Sequence, residues 1–325
     1  MMYKKDKVSI IIPTYNQVKF ISRAVESAIL QDYDNLEIII SDDCSNDGTK
    51  EKVGKYLNNT KIKYHSNNKN IGRVGNYRLA LYELAEGDWA INLDGDDYFT
   101  DNSYIKRTME DIKHFGNKIV FAQAGHYFKK KEQSIAESII CVPNISKEKM
   151  LMTGIEYFFN FFNIKHFSHL STLYNRKLAL KIGFYQHNII STDKESFLRL
   201  ALLGNVLLIK KPVAVWIQHG KNITKNANLK MKVKNMLYIT EAYNFAKNLD
   251  LDKKRLDKWS AFSFNYELVS IANDVLLSIK KSEKDIISFR EFVSFYWEKR
   301  KYLFTKPGFL IIFIKSFVLL LFKKI

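Results

Sequence analysis

Three aspartates, Asp94, Asp96 and Asp97, follow directly after a largely apolar run at residues 90–93. Side chains alternate faces along a strand, so Asp94 and Asp96 leave on one side while Asp97 lies at the turn. Clustered carboxylate oxygens are the ligands that Mg²⁺ and Mn²⁺ prefer in proteins. The spacing therefore predicts a divalent cation site. The alternative is a solvated turn whose aspartates cap a helix.

Three further polar segments follow predicted strands in the N-terminal part of the chain. The strands at residues 8–12, 36–40 and 62–65 lead into polar residues 13–16, 41–49 and 70–76, respectively. Four strands that alternate with four helices over about 110 residues predict a parallel, right-handed doubly wound sheet. Ligands bind at the carboxyl edge of such sheets, so all four loops are expected to converge on one cleft. We also expect Ser45 or Asn46 to cap a helix that runs to Tyr56.

The order and spacing of these segments resemble the signature of glycosyltransferase family 2. The resemblance rests on Pro13-Thr14-Tyr15-Asn16, on residues 41–49, on Asn70-Ile71-Gly72 and on Leu93-Asp94-Gly95-Asp96-Asp97. It implies an α/β, GT-A-like fold, with a doubly wound, mainly parallel sheet flanked by helices, that binds a nucleotide-sugar. The nucleotide-sugar-binding residues implied in this way are Pro13, Thr14, Tyr15, Asn16, Asp42, Asp43, Asn70, Arg73, Asn76, Asp94, Gly95 and Asp96.

The resemblance also implies roles for some of these side chains. Tyr15 would flank the base, Asp43 would accept a hydrogen bond from it, and Arg73 with the aspartates would face the ribose and diphosphate. Many relatives continue the Asn-x-Gly loop with an Ala-Arg-Asn triplet. This chain has Asn76, Tyr77 and Arg78 there, which leaves diphosphate contacts from this helix open.

A divalent cation suits the implied reaction. Cleavage of a bond between a sugar and a diphosphate leaves negative charge on the departing oxygen, which Mg²⁺ or Mn²⁺ offsets by several kcal/mol. Asp96 and Asp97 are the expected ligands. The chain lacks G-x-G-x-x-G and G-x-x-x-x-G-K-S/T motifs, which disfavours a dehydrogenase and a P-loop NTPase.

A glycosyl acceptor is a neutral hydroxyl that loses a proton as it attacks, and a carboxylate is the usual base for such a step. Residues 191–204 resemble the family's acidic motif before a Leu-Arg-Leu helix, with matching spacing from Asp193 to Arg199. The resemblance makes Asp193 the general base, with Glu195 in reserve. The alternative for Asp193 is a helix N-cap.

Of the six histidines in residues 111–228, three lie next to predicted strands: His166, His169 and His219. Residues 214–224 resemble the family's Tyr-Arg-x-His-x-x-Asn-x-Ser segment, with Trp216-Ile217 in place of Tyr-Arg. The resemblance implies that His219 completes the metal site or touches the diphosphate, whereas a single His after a strand is otherwise more often structural. His166 and His169 precede a predicted strand, which allows them to border the acceptor pocket, but nothing in the sequence raises either above a surface or core histidine.

Length and composition fit one large domain with an appendage. The 325 residues are 46% apolar, enough for a sizeable core. We predict a catalytic domain at residues 1–228, with a nucleotide-sugar-binding half at 1–110 and an acceptor-binding half at 111–228. A helical extension is expected at residues 229–325. Two cysteines without metal-ligand spacing, and no signal peptide before Val8, predict a cytoplasmic protein with reduced thiols.

The C-terminal segment, residues 307–325, predicts contact with a membrane. Residues 299–325 carry seven Lys or Arg and no acid, and two apolar runs enclose Lys315 and Ser316. The apolar helix would reach only about 21 Å, against a hydrocarbon core of about 30 Å. A helix lying on an anionic bilayer is therefore expected, and a helix docked on the protein itself is the alternative.

The net charge of +17 also raises nucleic-acid binding as another class of function. The basic residues concentrate at the membrane-like end and between Asn205 and Thr240, and no nucleic-acid-binding motif accompanies them. We therefore expect no nucleic-acid partner. A saccharide or polyprenyl-diphosphate-linked acceptor at the inner face of the cell membrane explains both the basic stretches and the apolar tail.

The sequence thus leads to an inverting, metal-dependent glycosyltransferase for surface polysaccharide or oligosaccharide synthesis. Inversion and a UDP-sugar donor come from the resemblance. The alternative is a non-catalytic protein that binds a nucleotide-sugar or a membrane.

Overall fold

A computed structural model describes residues 5–116, 118–220, 222, 226–279 and 294 of the chain. The chain divides into two compact units, Met1–Asn222 and Ile223–Ile325. The predicted boundaries at residues 110 and 228 remain predictions.

The first unit contains a mixed sheet with helices between its strands. Its strands are β1 (Val8–Thr14), β2 (Leu36–Asp42), β3 (Ile62–Ser66), β4 (Trp89–Asn92), β5 (Tyr98–Phe99), β6 (Ile119–Lys130), β7 (Ile139–Cys141), β8 (Lys149–Thr153), β9 (Thr172–Asn175) and β10 (Asn205–Gln218). Its helices are α1 (Ile21–Ile29), α2 (Thr49–Gly54), α3 (Arg73–Leu79), α4 (Tyr104–Phe115), α5 (Gly154–Ile164), α6 (Arg176–Lys181) and α7 (Thr192–Ala201).

Strand order explains how the two halves of this unit share one sheet. The order is β3-β2-β1-β4-β9-β6-β10-β5, with β7 on β6 and β8 on β10. Strands β1 to β4 are parallel, as predicted from the alternating strands and helices. Strand β9 pairs antiparallel with both β4 and β6, so the sheet as a whole is mixed. This pairing brings the segment before β9 beside the carboxyl end of β4.

The parallel strands are apolar because helices cover both of their faces. Ile10, Ile12, Ile38 and Ile40 are all fully buried within the core of this unit. Each such side chain stabilises the fold by about 1.5–3 kcal/mol relative to exposure. The predicted α/β class is confirmed.

The loop after β2 differs from the prediction. Helix α2 begins at Thr49 with Gly48 as its N-cap, rather than with Ser45 or Asn46. The Ser45 hydroxyl instead accepts a hydrogen bond from the Asn16 backbone N–H at 2.8 Å. The Asn46 backbone N–H donates to the Asn16 side chain at 2.9 Å. Both residues are therefore used to join two loops at the edge of the sheet.

The second unit is helical in the part that the structure describes, as expected from its sequence. It contains α8 (Leu229–Asn235), α9 (Leu237–Lys247) and α10 (Lys253–Ile279). The Tyr238 hydroxyl on α9 donates to the Glu267 carboxylate on α10 at 2.7 Å. None of the helices in the described part of the chain has the length and apolar character that a bilayer span requires. The predicted membrane segment at residues 307–325 lies outside the described residues.

His126, a buried residue on β6, predicts a stability that depends on pH. Burial, with nearby His166 and His169, lowers the pKa of His126 from 6.5 to about 4. Between these values the unfolded chain binds a proton that the folded chain does not, so stability falls as pH falls. We expect a loss of up to about 3 kcal/mol of unfolding free energy from this residue between pH 6.5 and 4.

Urea unfolding between pH 7 and 4.5 measures this loss. We expect the unfolding free energy of His126→Leu to depend less on pH than that of the unmodified protein. His114→Leu, on the exposed end of α4, should keep the full pH dependence. Equal slopes for His126→Leu and the unmodified protein would show that His126 does not carry the effect.

Candidate active site

The ends of β1, β2 and β4 meet at one edge of the sheet. Thr14 pairs with Asp42 across β1 and β2, and the Asp43 N–H donates to the Thr14 carbonyl at 2.9 Å. On the other side of β1, the Gly95 N–H donates to the Pro13 carbonyl at 3.1 Å. The polar segments that follow these strands therefore lie around one cleft.

Gly95 lies where a side chain has no room. A Cβ atom at this position would come within 2.4 Å of Gln17 Oε1 and 2.9 Å of Thr14 Oγ1. Real Cβ contacts of this kind do not reach such distances. Glycine therefore lets the β4 loop approach the β1 loop closely, which fixes where the neighbouring aspartates lie.

Asp94, Asp96 and Asp97 form a carboxylate cluster whose ligand atoms lie within 4.8 Å of one another. Asp96 Oδ2 lies 2.7 Å from Nε2 of His219, which follows β10. Asp97 accepts a hydrogen bond from the Ile217 backbone N–H at 2.9 Å. The three residues predicted as metal ligands, Asp96, Asp97 and His219, are thus brought together by the pairing of β10 with the rest of the sheet.

The electrostatics of this cluster suit a divalent cation. Burial, with the nearby charges of Asp96 and Asp94, raises the pKa of Asp97 well above its usual value. Like charges at this separation disfavour ionisation, and a bound cation would relieve the repulsion. An all-oxygen carboxylate set with one imidazole beside it fits Mg²⁺ or Mn²⁺. Asp94, Asp96, Asp97 and His219 are the residues that would hold the cation.

Asp94 is further held by an aromatic hydroxyl. The buried Tyr77 hydroxyl donates to both carboxylate oxygens, at 2.7 and 2.9 Å. Burial would raise the pKa of Asp94, but the charge and hydrogen bond of His169 and the bond from Tyr77 outweigh it and lower the pKa. Asp94 therefore presents a fixed, ionised carboxylate to the cleft.

Asp193 lies in the first turn of α7 and faces the cluster through His169; the N-cap of this helix is Ser191, so the N-cap alternative for Asp193 is wrong. Asp193 Oδ2 is 3.8 Å from His169 Nδ1, and His169 Nε2 is 3.4 Å from Asp94 Oδ2. Burial lowers the pKa of His169, but Asp94 and Asp193 outweigh this effect and the pKa is raised overall. The imidazole thus lies between the candidate base and the candidate metal site.

Sequence reasoning missed His169. A single His before a strand carries no local signal, and its proximity to Asp94 arises from the antiparallel pairing of β9 with β4. Only its place immediately before a strand that returns to the same sheet would have singled it out. His166, its neighbour in the sequence, is exposed.

Glu195, predicted as a reserve base, does not face the cleft. Its carboxylate is fully buried and pairs with Arg199 one turn later, at 2.5 and 2.9 Å. The Arg199 guanidinium also donates to the carbonyls of Ile182 and Gly183. Glu195 therefore joins α7 to the segment before it, and the reserve role is wrong for this geometric reason.

Asp43 anchors the loop that leads into α3. Its Oδ1 accepts hydrogen bonds from Asn67 Nδ2 at 2.9 Å and the Ile71 N–H at 2.8 Å, and its Oδ2 accepts from the Gly72 N–H at 2.9 Å. Asn70 contacts the Asp43 carbonyl at 3.3 Å. These bonds fix the Asn-x-Gly loop, so any contact of Asp43 with a base adds to this structural role.

The remaining predicted nucleotide-sugar residues divide by exposure. Tyr15 is 48% exposed at the end of β1, where a planar base can stack on it. Asp42 is buried and accepts from the Ser45 N–H and the Tyr64 hydroxyl, both at 2.9 Å. Pro13, Thr14 and Asn76 are buried too, whereas Asn16 is partly exposed and has a positive φ of 53°. The buried residues shape the cleft from below.

The Arg73 side chain reaches the segment that carries Asp193, the candidate general base. Its Nη2 donates to the carbonyls of Ile189 and Ile190 at 2.8 and 2.9 Å, and its guanidinium lies 5.4 Å from the Tyr77 ring centroid. Arg73 therefore ties α3 to the segment that carries Asp193. A role at the diphosphate stays a prediction.

The chain is similar in fold to a known glycosyltransferase. The crystal structure of S. aureus TarS 1-349 in complex with UDP-GlcNAc matches with a TM-score of 0.67 over 87% of this chain and 78% of that chain, at 20% identity. At this identity the likeness shows the fold, which is of the GT-A type predicted from the sequence.

Curated relatives are similar over different parts of the chain. Chondroitin synthase of Pasteurella multocida is 27% identical over 291 residues, which are 86% of this chain and 28% of the relative. The glucosyltransferase WfaP of Escherichia coli is 36% identical over 125 residues, which are 38% of this chain and 47% of the relative. The chain thus spans less than a third of the length of the Pasteurella synthase it matches.

The sequence signature of Glycosyl transferase family 2 matches residues 9–183. This match covers β1 to β9 and includes the carboxylate cluster and His169, and it ends before Asp193. The match covers more than half of the chain, including the cleft at the carboxyl edge of β1, β2 and β4, and this chain belongs to glycosyltransferase family 2.

Proposed function

We propose that the protein is an inverting glycosyltransferase that transfers a sugar from a nucleotide-diphosphate donor, with UDP as the nucleotide, to a hydroxyl group. The observation that carries the proposal is the placement of the carboxylate cluster and Asp193 around one cleft. The departing diphosphate is stabilised by a positive charge, whereas the acceptor hydroxyl needs a base that takes its proton. This cleft offers residues for both.

Asp193 acts as the general base in this proposal. Its carboxylate takes the proton of the acceptor hydroxyl while that oxygen forms a bond to the anomeric carbon. The bond from the same carbon to the diphosphate breaks, and its electron pair leaves with the diphosphate. Attack from the face opposite the leaving group inverts the configuration in a single displacement.

Asp94, Asp96, Asp97 and His219 would hold a divalent cation, which when bound would supply positive charge to offset that of the departing diphosphate. Tyr15 stacks on the nucleotide base of the donor, and Asp43 positions the loop that borders the ribose. UDP as the nucleotide is supported by the crystal structure of S. aureus TarS 1-349, which is in complex with UDP-GlcNAc. Arg73 and the aspartate cluster face the ribose and diphosphate, as the family resemblance implies.

The acceptor proposed is a saccharide or a polyprenyl-diphosphate-linked glycan in surface polysaccharide synthesis. Support comes from the similarity of the chain to WfaP, a UDP-Glc:α-D-GlcNAc-diphosphoundecaprenol β-1,3-glucosyltransferase. A lipid-linked acceptor also fits a cytoplasmic protein that is peripheral at the inner membrane face, with a net charge of +17 to favour anionic lipid.

A donor panel tests this function. Purified protein is incubated with UDP-, GDP- and TDP-sugars and Mn²⁺, with and without an extract of lipid-linked acceptors, and nucleoside-diphosphate release is measured. We expect release from a UDP-sugar that depends on acceptor. Binding of nucleotide-sugar without release from any donor, in the presence of the extract, would favour a non-catalytic binder instead.

A further inference from the structure

We propose that His169 is a positioning residue that holds the Asp193 carboxylate at a fixed distance and orientation relative to Asp94. This inference rests on the proposed function. The imidazole presents one ring nitrogen to each carboxylate, Nε2 to Asp94 at 3.4 Å and Nδ1 to Asp193 at 3.8 Å. The Asp193 side chain is about one fifth exposed, so it is accessible to an acceptor.

His169 itself is held firmly. It opens a 3₁₀ turn, His169–Ser171, in which the Ser171 hydroxyl donates to the Ala124 carbonyl at 3.0 Å. The Tyr104 hydroxyl donates to the Ser171 carbonyl at 2.9 Å. The Tyr77 ring meets the imidazole edge to face, with ring centroids 5.7 Å apart. A side chain on such a rigid support can fix the orientation of a more exposed neighbour.

His169 Nδ1 is buried and has no hydrogen-bond partner among the described residues. A buried polar atom without a partner costs about 1–3 kcal/mol. A shortening of about 1 Å between Nδ1 and Asp193 Oδ2 would create a charge-assisted hydrogen bond. Hydrogen bonds in active sites are often long without substrate and tighten in the reactive complex. The geometry therefore favours closure of this contact when donor and acceptor bind.

The contact would decide which oxygen of the base is used. A hydrogen bond from His169 occupies Oδ2 of Asp193 and leaves Oδ1 to accept the proton of the acceptor hydroxyl. Because His169 also contacts Asp94, the base is placed at a fixed distance from the end of the cleft where the diphosphate leaves. A misplacement of a reacting group by about 1 Å can cost a hundredfold in rate.

Three variants separate this role from a structural one. Asn at position 169 places an amide N–H where Nδ1 lies and keeps the donor to Asp193, whereas Gln places one near Nε2 and keeps only the donor to Asp94. Phe keeps the ring and has neither donor. We expect His169→Asn to retain kcat within about tenfold, and His169→Gln and His169→Phe to lose about a hundredfold.

The donor KM and donor affinity, measured by calorimetry, should change by less than about threefold in His169→Gln, which keeps the donor to Asp94, because the lost contact acts only on Asp193. Melting temperatures show how much stability each variant loses through altered packing, and this loss is compared with the loss of kcat. Equal kcat for the Asn and Gln variants, or an unchanged kcat for the Phe variant, would overturn the proposal.

Crystal structures of the unmodified protein and of the Asn and Phe variants test the inference even if no donor is turned over. We expect the Asp193 carboxylate to keep its rotamer in the Asn variant and to leave it in the Phe variant. An unchanged Asp193 in the Phe variant would refute the positioning role. Failure of the donor panel with a displaced Asp193 would instead refute the proposed function alone.

Discussion

Replacement of Asp193 by Asn should nearly abolish sugar transfer and leave donor binding intact. The amide has the same shape but does not accept the proton of the acceptor hydroxyl, and loss of a general base typically costs about 10²–10⁴-fold in rate. Asn is tolerated at the start of a helix, and the lost charge near the N-terminus of α7 costs only about 0.3–1 kcal/mol. We expect kcat to fall within that range, measured as acceptor-dependent nucleoside-diphosphate release.

Asp34→Asn provides the control for Asp193→Asn. Asp34 has a side chain that is 82% exposed and lies before β2, at the opposite edge of the sheet from the cleft. The same chemical change there should leave kcat and the melting temperature unchanged. A kcat for Asp193→Asn within threefold of the unmodified protein would exclude Asp193 as the base and direct attention to another group in the cleft.

Removal of the carboxylate of Asp96 should abolish metal-dependent transfer. Asp96→Ala removes one member of the cluster and leaves His219 without its carboxylate partner at 2.7 Å. Loss of the charge that a cation offers the leaving diphosphate is worth several kcal/mol, so we expect a fall of about a hundredfold or more in kcat/KM. EDTA should abolish sugar transfer by the unmodified protein, and added Mn²⁺ should restore this activity.

Mn²⁺ affinity, followed by electron paramagnetic resonance, provides a readout that is independent of turnover. Asp96→Ala should weaken it by at least about tenfold, and Asp32→Ala, at a side chain 59% exposed beside Lys106, should not change it. His219→Gln should have a smaller effect than Asp96→Ala, since an imidazole beside an all-oxygen set contributes less to binding of a hard cation. Unchanged Mn²⁺ binding by Asp96→Ala would refute the predicted metal site.

Local pattern was enough to predict the parallel half of the fold. The apolar runs that form β1, β2 and β4 are buried on both faces. A short, continuous apolar run is typical of a strand in a parallel sheet that helices cover on both sides. Because parallel strands end at the same edge, the polar residues after each strand had to meet, and Asp43, Asp94 and Asp96 do lie around one cleft. The same reasoning failed at Ser45 and Asn46, where hydrogen bonds to Asn16 in another loop replaced a local helix cap.

The sequence by itself determined the family, the α/β class and the residues of the carboxylate cluster, because motif order and strand periodicity are local properties of the chain. Only the tertiary structure decided the partners of those residues. Antiparallel β9 carries His169 to Asp94, and β10 carries His219 to Asp96. These contacts join residues 75 and 123 positions apart, so they depend on strand pairing and burial across the whole sheet, and no local pattern encodes them.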